Sequence, residues 1–178
     1  MTMKWISTVT VPSGGSSSIT FMSVGDIPSE YTDLLLKISL RASNDVDFIS
    51  FALNGSTSNF TTRGLQAFGN NTVNSDTRSD GLLTMLNNNS TFTANTFSNV
   101  DLYIPNYRSS TAKSFSVDAV TENNATDARR KIIAGLWSNN SAITSITLNA
   151  PAGGNFVQHS SASLYGITAG SDGIVTVS

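Results

Sequence analysis

The chain carries a single histidine, His159, and no cysteine. A Ser-His-Asp relay would have to use His159 as its base, and a thiol nucleophile or thiolate metal site is excluded. His159 stands in Asn155-Phe156-Val157-Gln158-His159-Ser160-Ser161. Its serines lack the flanking glycines of a nucleophile elbow, and the segment reads as a strand or strand entry. The acid pairs that a glycosidase would need are Asp45 with Asp47, Asp76 with Asp80, and Glu122 with Asp127. All lie in turn-like stretches, where Asp satisfies local backbone groups. Asp45 and Asp47 also begin a calcium pattern, but no third and fourth oxygen ligands follow at a recognisable spacing. Gly153-Gly154 follows Pro151 in a plain turn and cradles no phosphate. The residues therefore predict no catalytic site, no metal and no cofactor.

The elements that carry these residues are strands. Apolar residues alternate with polar ones at Leu34, Leu36, Ile38 and Leu40, with Lys37, Ser39 and Arg41 on the other face. The same period recurs at Ile49, Phe51 and Leu53, at Val100, Leu102 and Ile104, and at Phe115, Val117 and Ala119. Further strands centre on Trp5, Val9 and Val11, on Ile19 and Phe21, on Ile132, Ala134 and Leu136, on residues 143–148, and on Ala162, Leu164 and Gly166. Asn54-Gly55 suits the positive φ angles of a tight turn. Asn87-Asn88-Asn89-Ser90 and Ser138-Asn139-Asn140-Ser141 read as turns too polar to be buried. Eight to ten antiparallel strands predict one all-β domain over residues 1–178, a β-sandwich of jelly-roll type. Residues 56–99 are expected to form short strands joined by long loops, and residues 168–178 a short tail.

Composition narrows the function. Only 12% of residues are charged, about half the usual share. Ser, Thr and Asn must cover the surface instead. A net charge of -2 gives no field for nucleic acid, and the one basic cluster, Arg129, Arg130 and Lys131, is short. The start, Met1-Thr2-Met3-Lys4-Trp5-Ile6, lacks the apolar stretch of a signal peptide, and no segment approaches a membrane span. Synthesis in a cytoplasm without export is the expectation. Trp137, Tyr103, Tyr107 and Tyr165 are candidates to stack on sugars or fill an interface, with Trp137 assigned to the core or a subunit contact. Leu35, Phe48, Tyr103 and Trp137, set on the strand face opposite the main core residues, are expected at a subunit interface.

Several segments are familiar together: Ile27-Pro28-Ser29-Glu30-Tyr31-Thr32-Asp33-Leu34, Phe51-Ala52-Leu53-Asn54-Gly55, Tyr103-Ile104-Pro105-Asn106-Tyr107, and the run from Ala134-Gly135-Leu136-Trp137 to Leu164-Tyr165-Gly166-Ile167. Over roughly half the chain they resemble small β-sandwich virion proteins of tailed phages that infect marine bacteria and cyanobacteria. The resemblance implies a non-enzymatic virion component and carries over no catalytic residue. The resemblance leaves the position in the virion open; the expectation is a capsid decoration or cement protein, a homotrimer seated on the major capsid protein, with a tail or fibre module that binds cell-surface glycan as the alternative.

Overall fold

The computed structural model describes residues 2–22, 27–79, 85–123 and 128–168. These residues contain no helix. They form β1 (Thr2–Thr10), β2 (Ser18–Met22), β3 (Asp33–Ser39), β4 (Phe48–Leu53), β5 (Phe60–Phe68), β6 (Val73–Arg78), β7 (Met85–Leu86), β8 (Asn99–Ile104), β9 (Lys113–Thr121), β10 (Arg129–Trp137), β11 (Ser145–Asn149) and β12 (Ser161–Thr168). All neighbouring strands are antiparallel, in a sheet of order β1-β12-β3-β8-β9-β10-β5-β6 and a second of order β2-β11-β4-β7.

Eight of these strands interleave as a jelly roll: β1, β12, β3 and β8 in one layer, β2, β11, β4 and β7 in the other. The hairpin β5-β6 follows β4 in the chain and the hairpin β9-β10 follows β8. β9 pairs with β8 and β5 with β10, so the two hairpins widen that layer by four strands, about 19 Å. Residues 56–99 are therefore more regular than expected, because β5 alone runs for nine residues. Its pattern is hard to read because Thr62, Gly64 and Gln66 occupy the inward positions that apolar residues fill elsewhere. Of the expected tail, only Thr168 lies within the described residues, as the last residue of β12.

The core is the space between the inner faces. Leu34, Leu36, Ile38, Val100, Leu102, Val117, Ala119, Ala162 and Leu164 of the large sheet meet Ile19, Phe21, Ile49, Phe51, Leu53, Ile146 and Leu148 of the small one. Phe51, Phe60 and Phe115 pack edge to face, and Trp137 stacks on Phe60.

Two strands differ in phase from the sequence expectation. In β1 the register slips between Trp5 and Ser7, a bulge that puts Trp5 on the outer face while Val9 still faces inward. In β10 the expected core residues Ile132 and Leu136 are exposed, and Lys131, Ile133 and Trp137 are buried instead. The inward set includes a lysine and a glycine, so hydrophobic alternation points to the wrong face.

Asparagine does two jobs here. Asn54, Asn59, Asn71, Asn95 and Asn106 all take positive φ, a conformation that Asn tolerates better than other side chains with a Cβ. At the β4–β5 corner, Asn54 and Gly55 have φ of 52° and 72°, as the sequence predicts. Asn54 Oδ1 accepts from the Thr144 and Ser145 amides, and its Nδ2 donates to the Ala142 carbonyl. Asn54→Ala should therefore lose about 2 kcal/mol in urea unfolding, from strain at positive φ and from orphaned amides; Asn54→Gly should lose less.

Asn87, Asn88 and Asn89 correct the expectation of an exposed turn, being 0%, 0% and 4% exposed. Their amides donate to the backbone carbonyls of Val46, Glu122 and Asp45, so this polar run is a clasp under the loops.

Candidate functional site

The candidate catalytic residues do not converge. His159 is exposed, with φ of 73°, in the turn that precedes β12. Asp47 is held by Arg129 and the Asn89 amide, so its carboxylate is spent within the fold. Asp80 and Asp127 lie outside the described residues, which leaves two of the predicted acid pairs without a described second member. The basic run is dispersed by strand alternation: Arg129 pairs with Asp47, Arg130 with Asp118 and Lys131 with Asp76. Among the described residues no group of three or more His, Asp or Glu side chains could hold a metal ion.

Of the four residues expected at an interface, two stand together. Leu35 and Tyr103 are register partners on the outer face of the large sheet, both half-buried. Phe48 faces the other way, packed against the core with the Lys131 ammonium 5.2 Å from its ring centre. Trp137 is 1% exposed and belongs to the chain's own core, which corrects its assignment to a subunit contact. Tyr107 is likewise buried, and its hydroxyl donates to the Pro28 carbonyl; burial raises its pKa.

The feature that sequence reading missed is the outer face as a whole. The described residues include nine exposed large hydrophobics, and seven of them lie on this face: Met3, Trp5, Leu65, Val73, Val120, Ile132 and Leu136. Five of them, Leu65, Val73, Val120, Ile132 and Leu136, gather on the adjoining strands β9, β10, β5 and β6, and a contiguous exposed apolar patch of this kind marks an interaction surface. The signal was present as the alternate positions of β5 and β10, but only their pairing shows that Ile132 lies opposite Leu65.

The face has two halves. On β9, β10, β5 and β6, Leu65, Ile132 and Ala134 floor a shallow hollow of about 570 Å³ with Arg63, Asp118 and Thr77 among its walls. On β1, β12, β3 and β8, one register row reads Trp5, Tyr165, Leu35, Tyr103. The next row reads Thr8, Ser163, Lys37, Asp101. Lys37 Nζ is 2.5 Å from Asp101, and Asp101 lies opposite Asp118, which Arg130 neutralises at 2.8 Å. Two like charges opposite each other on neighbouring strands repel, and the flanking cations offset this.

The aromatic row is tied down at both ends. Trp5 Nε1 donates to Thr8 Oγ1 at 2.9 Å, and Thr8 in turn shares a 2.8 Å hydrogen bond with Ser163. Tyr103 donates to Asp33 Oδ2 at 2.7 Å, and Asp33 Oδ1 accepts the Asn106 amide. Desolvation, reinforced by Asp33, pushes the Tyr103 hydroxyl up to about 12, so it remains a donor at neutral pH. No family model, no curated protein and no solved structure matches the chain.

Proposed function

We propose that this chain is a non-enzymatic structural protein of a virion, a capsid decoration protein that self-associates and bridges subunits of the major capsid protein. The observation that supports this reading is the concentration of exposed apolar residues on one face, with Leu65 51%, Ile132 46% and Val73 67% exposed on its β5, β10 and β6 half. Burying such residues between copies removes apolar area from water at about 25 cal/mol per Å². A ring of copies then converts weak shell contacts into strong ones, since each later contact forms at high effective concentration. The low charge of the surface suits association in salt, which screens ion pairs but leaves apolar contacts intact. Three-fold closure would require the apolar half of one copy to meet a different surface of the next, and the free edge strand β6 borders that half.

Light scattering should give a particle of three times 18.8 kDa at micromolar concentration. Ile132→Asp should dissociate it while circular dichroism stays β-type, because a charge would have to be desolvated at the contact. A wild-type mass of 18.8 kDa would overturn self-association. Copy number separates the two virion positions: hundreds of copies per particle fit decoration, and a handful fits a tail or fibre module.

A further inference from the structure

We infer that the row Trp5, Tyr165, Leu35, Tyr103 is a binding platform for an uncharged, extended β-linked polysaccharide lying across the strands. The spacing of the row fits such a chain. The four side chains come from four adjacent strands in one register row, so they follow one another at about 4.8 Å, close to the rise per sugar of a flat β-linked chain. The three rings can then meet pyranose rings of one extended chain rather than a single sugar.

The surface chemistry of the row fits a sugar as well. The axial C–H faces of a pyranose are apolar and slightly positive and stack on the negative face of an aromatic ring, while its equatorial hydroxyls point sideways. The row offers the matching section: rings along the middle, and the hydroxyls of Thr8 and Ser163 alongside. Trp5 is 59% exposed despite its hydrogen bond to Thr8, so the indole is held at its edge and open to a ligand. Tyr103 is fixed through Asp33 in the same manner. Little side-chain freedom remains to be lost on binding.

Charge complementarity selects the occupant. The row itself has no formal charge: the nearest carboxylate, Asp33, is buried and engaged by the Tyr103 hydroxyl and the Asn106 amide, and Lys37 and Asp101 in the next row cancel each other. A polyanion or a basic peptide would find no matching field. A second copy docked face to face would have to desolvate the Lys37–Asp101 pair, at a cost a narrow sugar ribbon avoids by leaving that pair in water. The inference does not rest on the capsid reading, because the apolar half that supports self-association is on other strands.

The test uses the only two tryptophans of the chain. Trp137 is buried and Trp5 is exposed, so a ligand on the platform changes the emission of Trp5. The intact protein is titrated with cellohexaose, xylohexaose and chitohexaose, followed by tryptophan fluorescence and calorimetry. At least one is expected to bind, with affinity lowered about tenfold or more by Trp5→Ala and unchanged by Val46→Ser, at an exposed apolar residue away from this face. Tyr103→Ala should weaken the same ligand. Circular dichroism and thermal melts establish that the variants are folded. Absence of heat and of a fluorescence change with all three sugars would overturn the inference, as would binding that survives Trp5→Ala. If Trp5→Ala lowers the mass seen by light scattering without affecting sugar binding, the row is a contact between copies and the inference is also wrong.

Discussion

Asp76→Ala is expected to cost about 3 kcal/mol of stability, whereas changing its partner by Lys131→Met is expected to cost almost nothing. The Lys131 side chain is 2% exposed, with Nζ 3.0 Å from Asp76 Oδ2 and set over the Phe48 ring. Removing the carboxylate leaves an ammonium buried between a phenylalanine and the sheet with no counter-charge. Removing the ammonium leaves a carboxylate that is 37% exposed and also within 3.8 Å of Arg78. Methionine fills the lysine's volume without needing a partner. Urea unfolding of the two variants checks the order of the effects. A larger loss for Lys131→Met would mean that the pair adds net stability and is not merely compensating for its own burial.

The same pair explains where the sequence could be read and where it could not. β3, β4, β8 and β12 announce their inward faces because apolar residues or glycine hold the inward positions, as does the middle of β9 at Phe115, Val117 and Ala119, and these residues pack between the two sheets. β5, β6 and β10 extend past that region. Their inner positions include Thr62, Gly64, Gln66, Asp76 and Lys131, an arrangement of small and paired polar groups that alternation cannot recognise. Gly64 belongs to it because a side chain there would collide with Asp76. Meanwhile their outer positions carry Leu65, Ile132 and Leu136, which mimic a core stripe. The outer face was illegible for a second reason. Trp5, Tyr165, Leu35 and Tyr103 are distant in sequence, and a bulge shifts Trp5 onto their side. Leu35 and Tyr103 could be picked out by parity within their own strands; their neighbours needed the pairing.

Gly135 decided the phase of β10, and its substitution should be the most informative core change. Its φ is not left-handed, so what it requires is space. On β10 it lies opposite Phe115 of β9, and a Cβ at this position would run into the Phe115 ring. That ring cannot simply swing away. It packs edge to face on Phe51 at 5.5 Å and on Phe60 at 6.2 Å, and Phe60 carries Trp137. Gly135→Ala should therefore cost about 3 kcal/mol, the upper end for overpacking a filled core by one methyl group. Phe115→Leu alone should cost about 1 kcal/mol as a large-to-small change. If the collision is the cause, the two changes are not additive: a leucine does not reach over Gly135, and the double variant should be more stable than Gly135→Ala alone. Thermal and urea unfolding of the four proteins measure the coupling. Losses that add would place the cost in the backbone of β10 rather than under the Phe115 ring. Near-ultraviolet circular dichroism gives an independent reading, since displacing Phe115 in Gly135→Ala should disturb the stacked Phe60–Trp137 pair, and that signal should return in the double variant.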